Sequence, residues 1–289
     1  MKTCLVCHYP NPVFLFNSKN KHGRHLLSVN KFKIFQCQNC HSLLLDTTNL
    51  KIDQEFYKTF YPSDYYLNQN KILNTFTTYY TKISFFFIKL LISIHLPKNI
   101  KHPKVFDIGC GSGEFLSQLP SKYKKYGIDI NPISAQLIQN HKIKFQIKDF
   151  LQSNPKSNYY HLVTAFHVIE HIANPQLFLQ KIYKSLKPGG LALISFPNSN
   201  SFGSKLGKQN WFHLDSPRHL FIPNKTSIHI LLTKYNLKFS RFYHPYFDYP
   251  LDLFWSLPNL LTKIIVLPFY PIFKLFDQET LLLIFQKPN

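Results

Sequence analysis

Between Lys104 and Phe196 the chain alternates short apolar runs with stretches of helical period. Lys104–Ile108, Tyr123–Ile128, Ile143–Ile147, His161–Phe166 and Leu191–Phe196 have the length and apolar character of buried strands. Phe115–Leu119, Pro132–Asn140 and Pro175–Leu186 read as helices between them, and Lys187-Pro188-Gly189-Gly190 stops the last helix and turns into the next strand. Strand, helix, strand alternation of this kind builds a parallel α/β sheet. Leu237–Tyr243 and Thr280–Gln286 predict two further strands near the end of the sequence.

The flanking segments read differently. Lys71–Leu96 is helical in pattern, and its apolar run Ile83–Ile92 is too short, and too interrupted by Lys89, for a span of about 20 apolar residues. Leu251–Phe276 is strongly apolar, yet Pro258, Pro268, Pro271 and Lys263 break it. Trp255, Lys263, Tyr270 and Lys274 are residue types that settle at a bilayer interface. Two readings stand for 251–276: an element lying on an anionic membrane surface, or a helical hairpin packed as a lid or dimer contact. No internal repeat is present. The expected organisation is a small module over 1–46, a helical linker or cap over 47–103, and an α/β domain over 104–289 with an apolar helical insertion at about 247–276.

Length and composition bound this picture. A chain of 289 residues holds one or two domains, and 45% hydrophobic residues exclude a disordered chain. The net charge of +20, from 34 Lys+Arg against 14 Asp+Glu, favours anionic partners such as nucleic acid, acidic lipid or a phosphorylated substrate. Most lysines are scattered singly, which fits a compositional bias equally well. The start, Met1-Lys2-Thr3-Cys4, has no apolar run ending in a small-residue cleavage site, so a cytoplasmic, reducing location is expected, peripheral to a membrane if 251–276 is a lipid element.

The most specific signal is Val105-Phe106-Asp107-Ile108-Gly109-Cys110-Gly111-Ser112-Gly113-Glu114. A strand ends, the chain turns on three glycines, and a helix starts. Glycines accept positive φ and let a ligand approach without a Cβ in the way. The spacing is GxGxG, unlike the GxGxxG of a pyrophosphate-binding turn. Asp107, just before the turn, can face an ammonium group. Tyr126-Gly127-Ile128-Asp129 puts a second acid, followed by Ile130, at the end of the next strand, where it can accept from ribose hydroxyls. Lys148-Asp149-Phe150 follows the third strand, where a carboxylate can accept from an adenine amino group and an aromatic ring can cover its face.

With Phe166-His167-Val168-Ile169-Glu170-His171 and Leu186-Lys187-Pro188-Gly189-Gly190 added, these motifs resemble the class I S-adenosylmethionine-dependent methyltransferases of small-molecule type. The likeness is good from Lys104 to Asn198 and loose beyond. It implies a Rossmann-like, seven-stranded class I methyltransferase sheet with an antiparallel finish, and S-adenosylmethionine as cofactor. It places the methionine part of that cofactor at Asp107, Gly109, Cys110, Gly111 and Gly113, the ribose at Asp129 and Ile130, and the adenine at Asp149 and Phe150, with Phe166 and His167 bordering it. Trp211–Leu220 also resembles a stretch of bacterial members found with surface-sugar and lipid-modifying enzymes.

Cys4-Leu5-Val6-Cys7 and Cys37-Gln38-Asn39-Cys40 are two CxxC pairs. Four thiolates from two knuckles can enclose zinc tetrahedrally with no open position, and in a reducing compartment such pairing favours structural metal over four unliganded cysteines. Lys31–Gln36, strand-like and running into the second knuckle, fits a zinc-ribbon-like module. His8 and His41 beside the knuckles are either substitute ligands or, the reading preferred, residues outside the coordination sphere or in solvent. The resemblance implies a ribbon that covers the active site or helps hold the substrate.

Candidate catalytic side chains lie after the fourth and fifth strands, where ligands sit in such sheets: His167, Glu170 and His171 after one, and His213, Asp215 and His219 after the other, with His219 and Arg218 the expected substrate contact. His171 reads as structural. The acceptor expected is a small molecule, a sugar or lipid-linked intermediate. RNA or protein methylation is the alternative that suits the charge, although no Asn-Pro-Pro-Tyr-type motif follows the fourth strand; a non-catalytic cofactor-binding module is the third reading.

Overall fold

The computed structural model describes residues 3–19, 31–52, 56, 59–60, 71–138, 142–233, 235, 237, 239–245, 252–257, 259–270, 272–273 and 278–289. Three strands come first, β1 (Val13–Lys19), β2 (Lys31–Gln36) and β3 (Leu43–Leu45). Helix α1 (Lys71–His95) leads into β4 (Lys104–Ile108), α2 (Glu114–Ser117), β5 (Lys124–Asp129), α3 (Pro132–Ile138) and β6 (Lys144–Ile147). Then follow β7 (Tyr160–Phe166), α4 (Pro175–Ser185), β8 (Leu186–Pro197), α5 (Phe202–Gly207), β9 (Phe221–Ile222) and α6 (Lys225–Leu232). The described chain closes with β10 (Phe239–Tyr243), α7 (Asp252–Ser256), α8 (Leu260–Val266) and β11 (Thr280–Gln286).

Seven strands form the main sheet in the order β10-β11-β8-β7-β4-β5-β6. β4 to β8 are mutually parallel, and β11 runs antiparallel between β8 and β10. Alternate residues of the central strands serve opposite faces, which is why these strands read as unbroken apolar runs. Phe106, Val163, Ala192 and Leu283 pack towards α4 and α6 through Phe178, Ile182, Ile228 and Leu231. Their neighbours Val105, Leu162, Leu193 and Leu282 pack on the other side with Ile88 and Ile92 of α1.

The expected strands are present, with shifted ends. β8 begins at Leu186, because Tyr160 pairs with Leu186 before the register shifts and Leu162 pairs with Leu191. The Lys187-Pro188-Gly189-Gly190 turn is therefore a bulge inside the strand. The end of the expected helix at 139–140, part of the expected linker or cap, and Leu251, Pro258, Pro271, Lys274 and Phe276 lie outside the described residues.

A second sheet has the order β1-β2-β3-β9, so its last strand comes from far beyond residue 46. Leu43 pairs with Ile222 and Leu44 with Phe221. Phe32, Ile34, Leu43 and Leu45 share one core with Trp211, Leu214, Leu220 and Ile222. The first cysteine knuckle is clipped to α4, where the Gln176 amide donates to Leu5 O (2.9 Å) and Val6 O (2.7 Å). The second is clipped to the cap of α6, where Asn224 Nδ2 donates to Cys40 O (3.0 Å).

α7 buries Asp252, Leu253 and Ser256, whereas α8 carries Leu260 (71% exposed), Leu261 (67%), Ile264 (59%) and Ile265 (58%) at the surface. Among the described residues no helix is long and apolar enough to cross a membrane.

Removing residues 1–46 would strip β9 of its neighbour and uncover Trp211, Leu214 and Leu220, each worth about 1.5–3 kcal/mol of apolar burial. The 47–289 chain is expected to aggregate, as read by size-exclusion chromatography. A monodisperse fragment with a cooperative melt would show that the two sheets are independent.

Candidate functional site

At the carboxyl end of β4 the chain turns through Gly109, Gly111 and Gly113, all at positive φ (68°, 51° and 72°). Gly109 N (2.8 Å) and Cys110 N (3.3 Å) donate to Ile128 O on β5. Gly111 N donates to Asp129 Oδ2 (2.8 Å), and Asn131 N donates to Asp129 Oδ1 (2.8 Å). Asp129 thus closes the turn after β4 and the turn after its own strand. A Cβ on Gly111 would meet nothing within 4 Å, so open space lies over this part of the turn. Gly109 is hemmed in instead: a Cβ there would stand 2.5 Å from Val168 Cγ2. Cys110 is buried.

Asp107 lies beneath the turn, almost completely buried, and accepts from Thr164 Oγ1 on β7 at 2.6 Å. Burial, with Asp129 as a like charge, pushes the Asp107 carboxyl up to about 7 against the Thr164 hydrogen bond. Burial also raises Asp129, opposed by the Asn131 and Gly111 amides. A carboxylate kept dry next to an open space is a poor device for stability and a good one for holding a cationic group.

Lys148 N donates to Asp129 O (2.9 Å), which brings Asp149 beside the end of β5. Asp149 Oδ1 accepts from Leu151 N (2.8 Å) and caps the 3-10 turn Phe150–Gln152. That cap swings the Phe150 ring into the core against Phe106 and Phe178 (centroids 6.1 and 5.4 Å), so the ring covers no outward-facing ligand surface. Ile130, 38% exposed, is the apolar side chain at this edge. Phe166 packs edge-on against Phe115 (4.9 Å).

His167, the first residue beyond β7, has φ of 54°, a strained position for a non-glycine residue. Its Nδ1 lies 3.2 Å from Oε1 of the fully buried Glu170. Burial alone would push the Glu170 carboxyl up; the His167 hydrogen bond and the surrounding imidazoles outweigh it and hold the carboxyl near 2. His219 comes from the loop after α5. Leu220 N donates to Glu170 O (2.9 Å) and joins that loop to the His167–His171 segment. Burial, reinforced by His171, holds His219 down at about 3, so its ring is neutral near pH 7. Arg218 is engaged by Asp215 Oδ1 at 2.5 Å. The structure therefore brings His167, Glu170 and His219 together at the carboxyl ends of the strands.

Sequence reasoning missed Thr164. Thr164 was signalled only by its polarity within an apolar strand, at the register position opposite Asp107.

The four cysteines converge. Cys4 and Cys40 sulfurs are 3.6 Å apart, Cys7 and Cys37 sulfurs 3.5 Å, and all four lie within 4.8 Å of one another. A tetrahedral ion with metal–sulfur distances of about 2.3 Å sets sulfurs about 3.8 Å apart. The knuckles repeat one geometry: His8 and His41 take φ of 59° and 57°, and their amides donate to Cys4 O and Cys37 O. His8 Nε2 contacts the Gln176 amide (3.0 Å) outside the sulfur cluster.

A family model described as a methyltransferase domain matches residues 81–240, more than half of the chain. A ubiquinone biosynthesis O-methyltransferase of Rickettsia akari is 27% identical over 122 residues, covering 40% of this chain and 49% of the relative. The mitochondrial ubiquinone biosynthesis O-methyltransferase of Mus musculus is 26% identical over 132 residues, covering 42% of this chain and 35% of the relative. The alignments thus span half or less of those curated proteins. A solved structure of a possible exported protein from Bordetella parapertussis superposes with a TM-score of 0.51 at 16% identity, covering 72% of this chain and 68% of that one, and shares the fold.

The raised Asp107 carboxyl carries a stability signature. Its folded pKa lies above the unfolded one, so its contribution is full below about pH 4 and is lost as pH rises through about 7. At about 1.4 kcal/mol per pKa unit the burden reaches on the order of 4 kcal/mol at pH 8 and 1–2 kcal/mol at pH 5. Asp107→Asn is therefore expected to raise the urea midpoint at pH 8, with a gain that shrinks towards pH 5. A variant that loses stability at pH 8 relative to pH 5 would refute a strained carboxylate.

Proposed function

The chain belongs to the methyltransferase-domain family, and on that premise we propose that it transfers the methyl group of S-adenosylmethionine to a small-molecule acceptor, a sugar or lipid-linked intermediate. The observation that carries the reading is the open space over Gly111, set between two buried acids, Asp107 and Asp129, at the ends of adjacent parallel strands. Acids in that place suit an ammonium and ribose hydroxyls and would repel a pyrophosphate.

S-adenosylmethionine supplies an electrophilic methyl group on a sulfonium. In this reading the backbone of Gly109, Cys110, Gly111 and Gly113 lies along its methionine part, and Asp107 faces its amine. Asp129 retains lone pairs beyond the two amide bonds for ribose hydroxyls. Ile130 and Asp149, with the backbone at Phe150, border adenine. Phe166 and His167 close the site from β7. Positioning of this kind supplies much of the acceleration of an in-line displacement.

A hydroxyl acceptor forms an O–C bond with its own lone pair while the C–S bonding pair returns to sulfur, and its proton must leave. His167 suits that task. Its Nδ1–H donates to Glu170, which fixes the tautomer with the lone pair on Nε2. Glu170 is the positioning residue, and His219 lies on the acceptor side of the same cluster. The four-cysteine cluster would hold a structural zinc through Cys4, Cys7, Cys37 and Cys40. The hydrogen bond between Cys4 and Cys40 draws the Cys40 thiol down and pushes the Cys4 thiol up, so the pair shares one proton until a cation takes its place. A lipid-linked acceptor accounts for the exposed apolar face of α8, with Lys263 above the Phe254 and Trp255 rings (5.3 and 5.4 Å).

Calorimetric titration with S-adenosylmethionine tests the cofactor site. Gly111→Val fills the open space at a φ that side chains resist, and no binding heat is expected. Asp129→Ala is expected to lose at least about 1.5–3 kcal/mol, the value of a charge-assisted hydrogen bond. Unchanged affinity in both variants sinks the assignment. Flotation with anionic vesicles at low salt tests the lipid surface: binding is expected, weakened when Trp255 and Phe269 are both changed to Ser. Protein that stays at the bottom of the gradient leaves 251–276 as a lid or dimer contact.

A further inference from the structure

At the end of the sheet opposite the glycine turn, the parallel strands β4, β5 and β6 each begin on a lysine: Lys104, Lys124 and Lys144. Lys104 pairs with Lys124 across two strands, and Tyr126 of β5 pairs with Lys144. Lys187 stands in the bulge at the start of β8, and Lys156 in the loop before β7. Neighbouring strands lie about 4.8 Å apart, so the five strand ends from β8 to β6 carry these ammoniums along a row of about 19 Å. Lys124, Lys144 and Lys156 are exposed. Aromatic rings hold part of the row in place. Lys104 Nζ lies 3.6 Å from the centre of the Tyr159 ring and Lys156 Nζ 4.9 Å, and the Tyr159 and Tyr126 hydroxyls meet at 3.1 Å. A ring orients an ammonium without cancelling its charge.

Among the described residues no acidic side chain stands at this end. Residues 96–106, 115–128, 142–148 and 150–169 contain no Asp or Glu, nor do 171–214 and 280–289. Asp107, Asp129, Asp149 and Glu170 stand at or just after the carboxyl ends of β4 to β7. A compositional excess of lysine adds cations everywhere; it does not by itself clear one end of a sheet of acids. The resulting field acts on His161 of β7, which burial holds below the ordinary histidine range and which Lys187 and Lys104 push the same way. The same loops are poor in apolar surface. None of the exposed large apolar side chains among the described residues falls in 96–106, 115–128 or 150–169, whereas α1 and α8 carry several. Charge without apolar anchors suits a phosphate backbone, while a bilayer surface takes both.

We propose that the amino ends of β4 to β8 form a surface that binds the phosphodiester backbone of a nucleic acid. Its contacts are to phosphates, so binding is independent of sequence and falls steeply with salt. The length of β4, about 13 Å, separates the row from the glycine turn, so the phosphates it holds lie away from the proposed cofactor site. The surface stands apart from the methyl-transfer reading.

Fluorescence anisotropy of a labelled DNA duplex and of a labelled oligouridylate, titrated with full-length protein over a range of salt, tests it. Binding to either probe is expected, with log K falling linearly with log salt. Changing Lys124, Lys144 and Lys156 together to Gln should flatten that slope by roughly 2–2.7 and weaken binding at low salt at least about tenfold. Changing Lys82, Lys205 and Lys225 together to Gln removes the same charge elsewhere on the molecule and should leave the slope unchanged. In the unmutated protein, bound duplex should protect Lys124, Lys144 and Lys156 from acetylation, read by mass spectrometry, and leave Lys82, Lys205 and Lys225 reactive. No binding of either probe at low salt, or binding that both triple variants weaken equally, overturns the surface. So does vesicle flotation that only the Lys124, Lys144 and Lys156 changes abolish, with no nucleic acid bound, which makes the row a lipid contact. None of these outcomes bears on the calorimetry with S-adenosylmethionine, and failure of that calorimetry leaves the anisotropy result untouched.

Discussion

The Gly111 amide and the Asp129 carboxylate meet at 2.8 Å where β4 and β5 end side by side, and the open face of the molecule is built around that bond. Asp129 spends its other oxygen on Asn131, so one side chain fixes the turns after two adjacent strands. With the turn pinned, the glycines hold positive φ and leave space over Gly111. The same turn sets the position of its neighbours. Val168 packs on Gly109, so the His167–His171 segment takes its place from the glycine turn, and Leu220 N, bonded to Glu170 O, carries His219 to the same spot.

The sheet was legible because its strands are buried on both faces. Every residue of β7 from Leu162 to Ala165 is buried, and a run with Thr164 as its one polar residue can be little else between helical stretches. The glycine turn was legible because positive φ demands glycine and three such demands coincide. Individual side chains near the turn were less so. Phe150 follows an acid as an adenine-facing ring would, yet the Asp149 cap directs the ring inward, and only the path of the backbone decides that. His171 reads as structural because Glu170-His171 opens a helix-bearing loop, and the ring of His219 beside it is delivered by a distant loop that local sequence does not show.

The N-terminal segment shows the same limit on a larger scale. Its cysteine pairs and its strand β2 are local patterns and were readable. Its sheet is completed by Phe221 and Ile222, and its core by Trp211, which periodicity within 1–46 cannot reveal. Trp211 is itself held by Glu279, whose Oε2 accepts from the indole N–H at 2.5 Å, just before the last strand of the main sheet. The cysteine sheet is thereby bonded, through β9 and Trp211, to the end of the chain.

A chain with 14 acidic residues against 34 basic ones has ample cations with which to neutralise a buried carboxylate. Asp107, Asp129, Glu170 and Glu279 nevertheless take bonds from a threonine hydroxyl, backbone amides, a histidine and a tryptophan. Hydroxyl and amide donors such as those on Asp107 and Asp129 hold a carboxylate in place without cancelling its charge. Within that set the degree of satisfaction separates two duties. Glu279 gives one oxygen to Gly203 N and the other to Trp211, and its environment is complete as folded. Glu170 leaves Oε2 without a hydrogen bond, yet the imidazoles around it favour its charge, whereas Asp107 is kept dry under an open turn with its carboxyl pushed up. An acid whose bonding is complete has been used by the fold. On the methyl-transfer reading Asp107 is an acid of the second kind, one whose partner arrives from outside, and it stands near the carboxyl end of β4, where the open face lies.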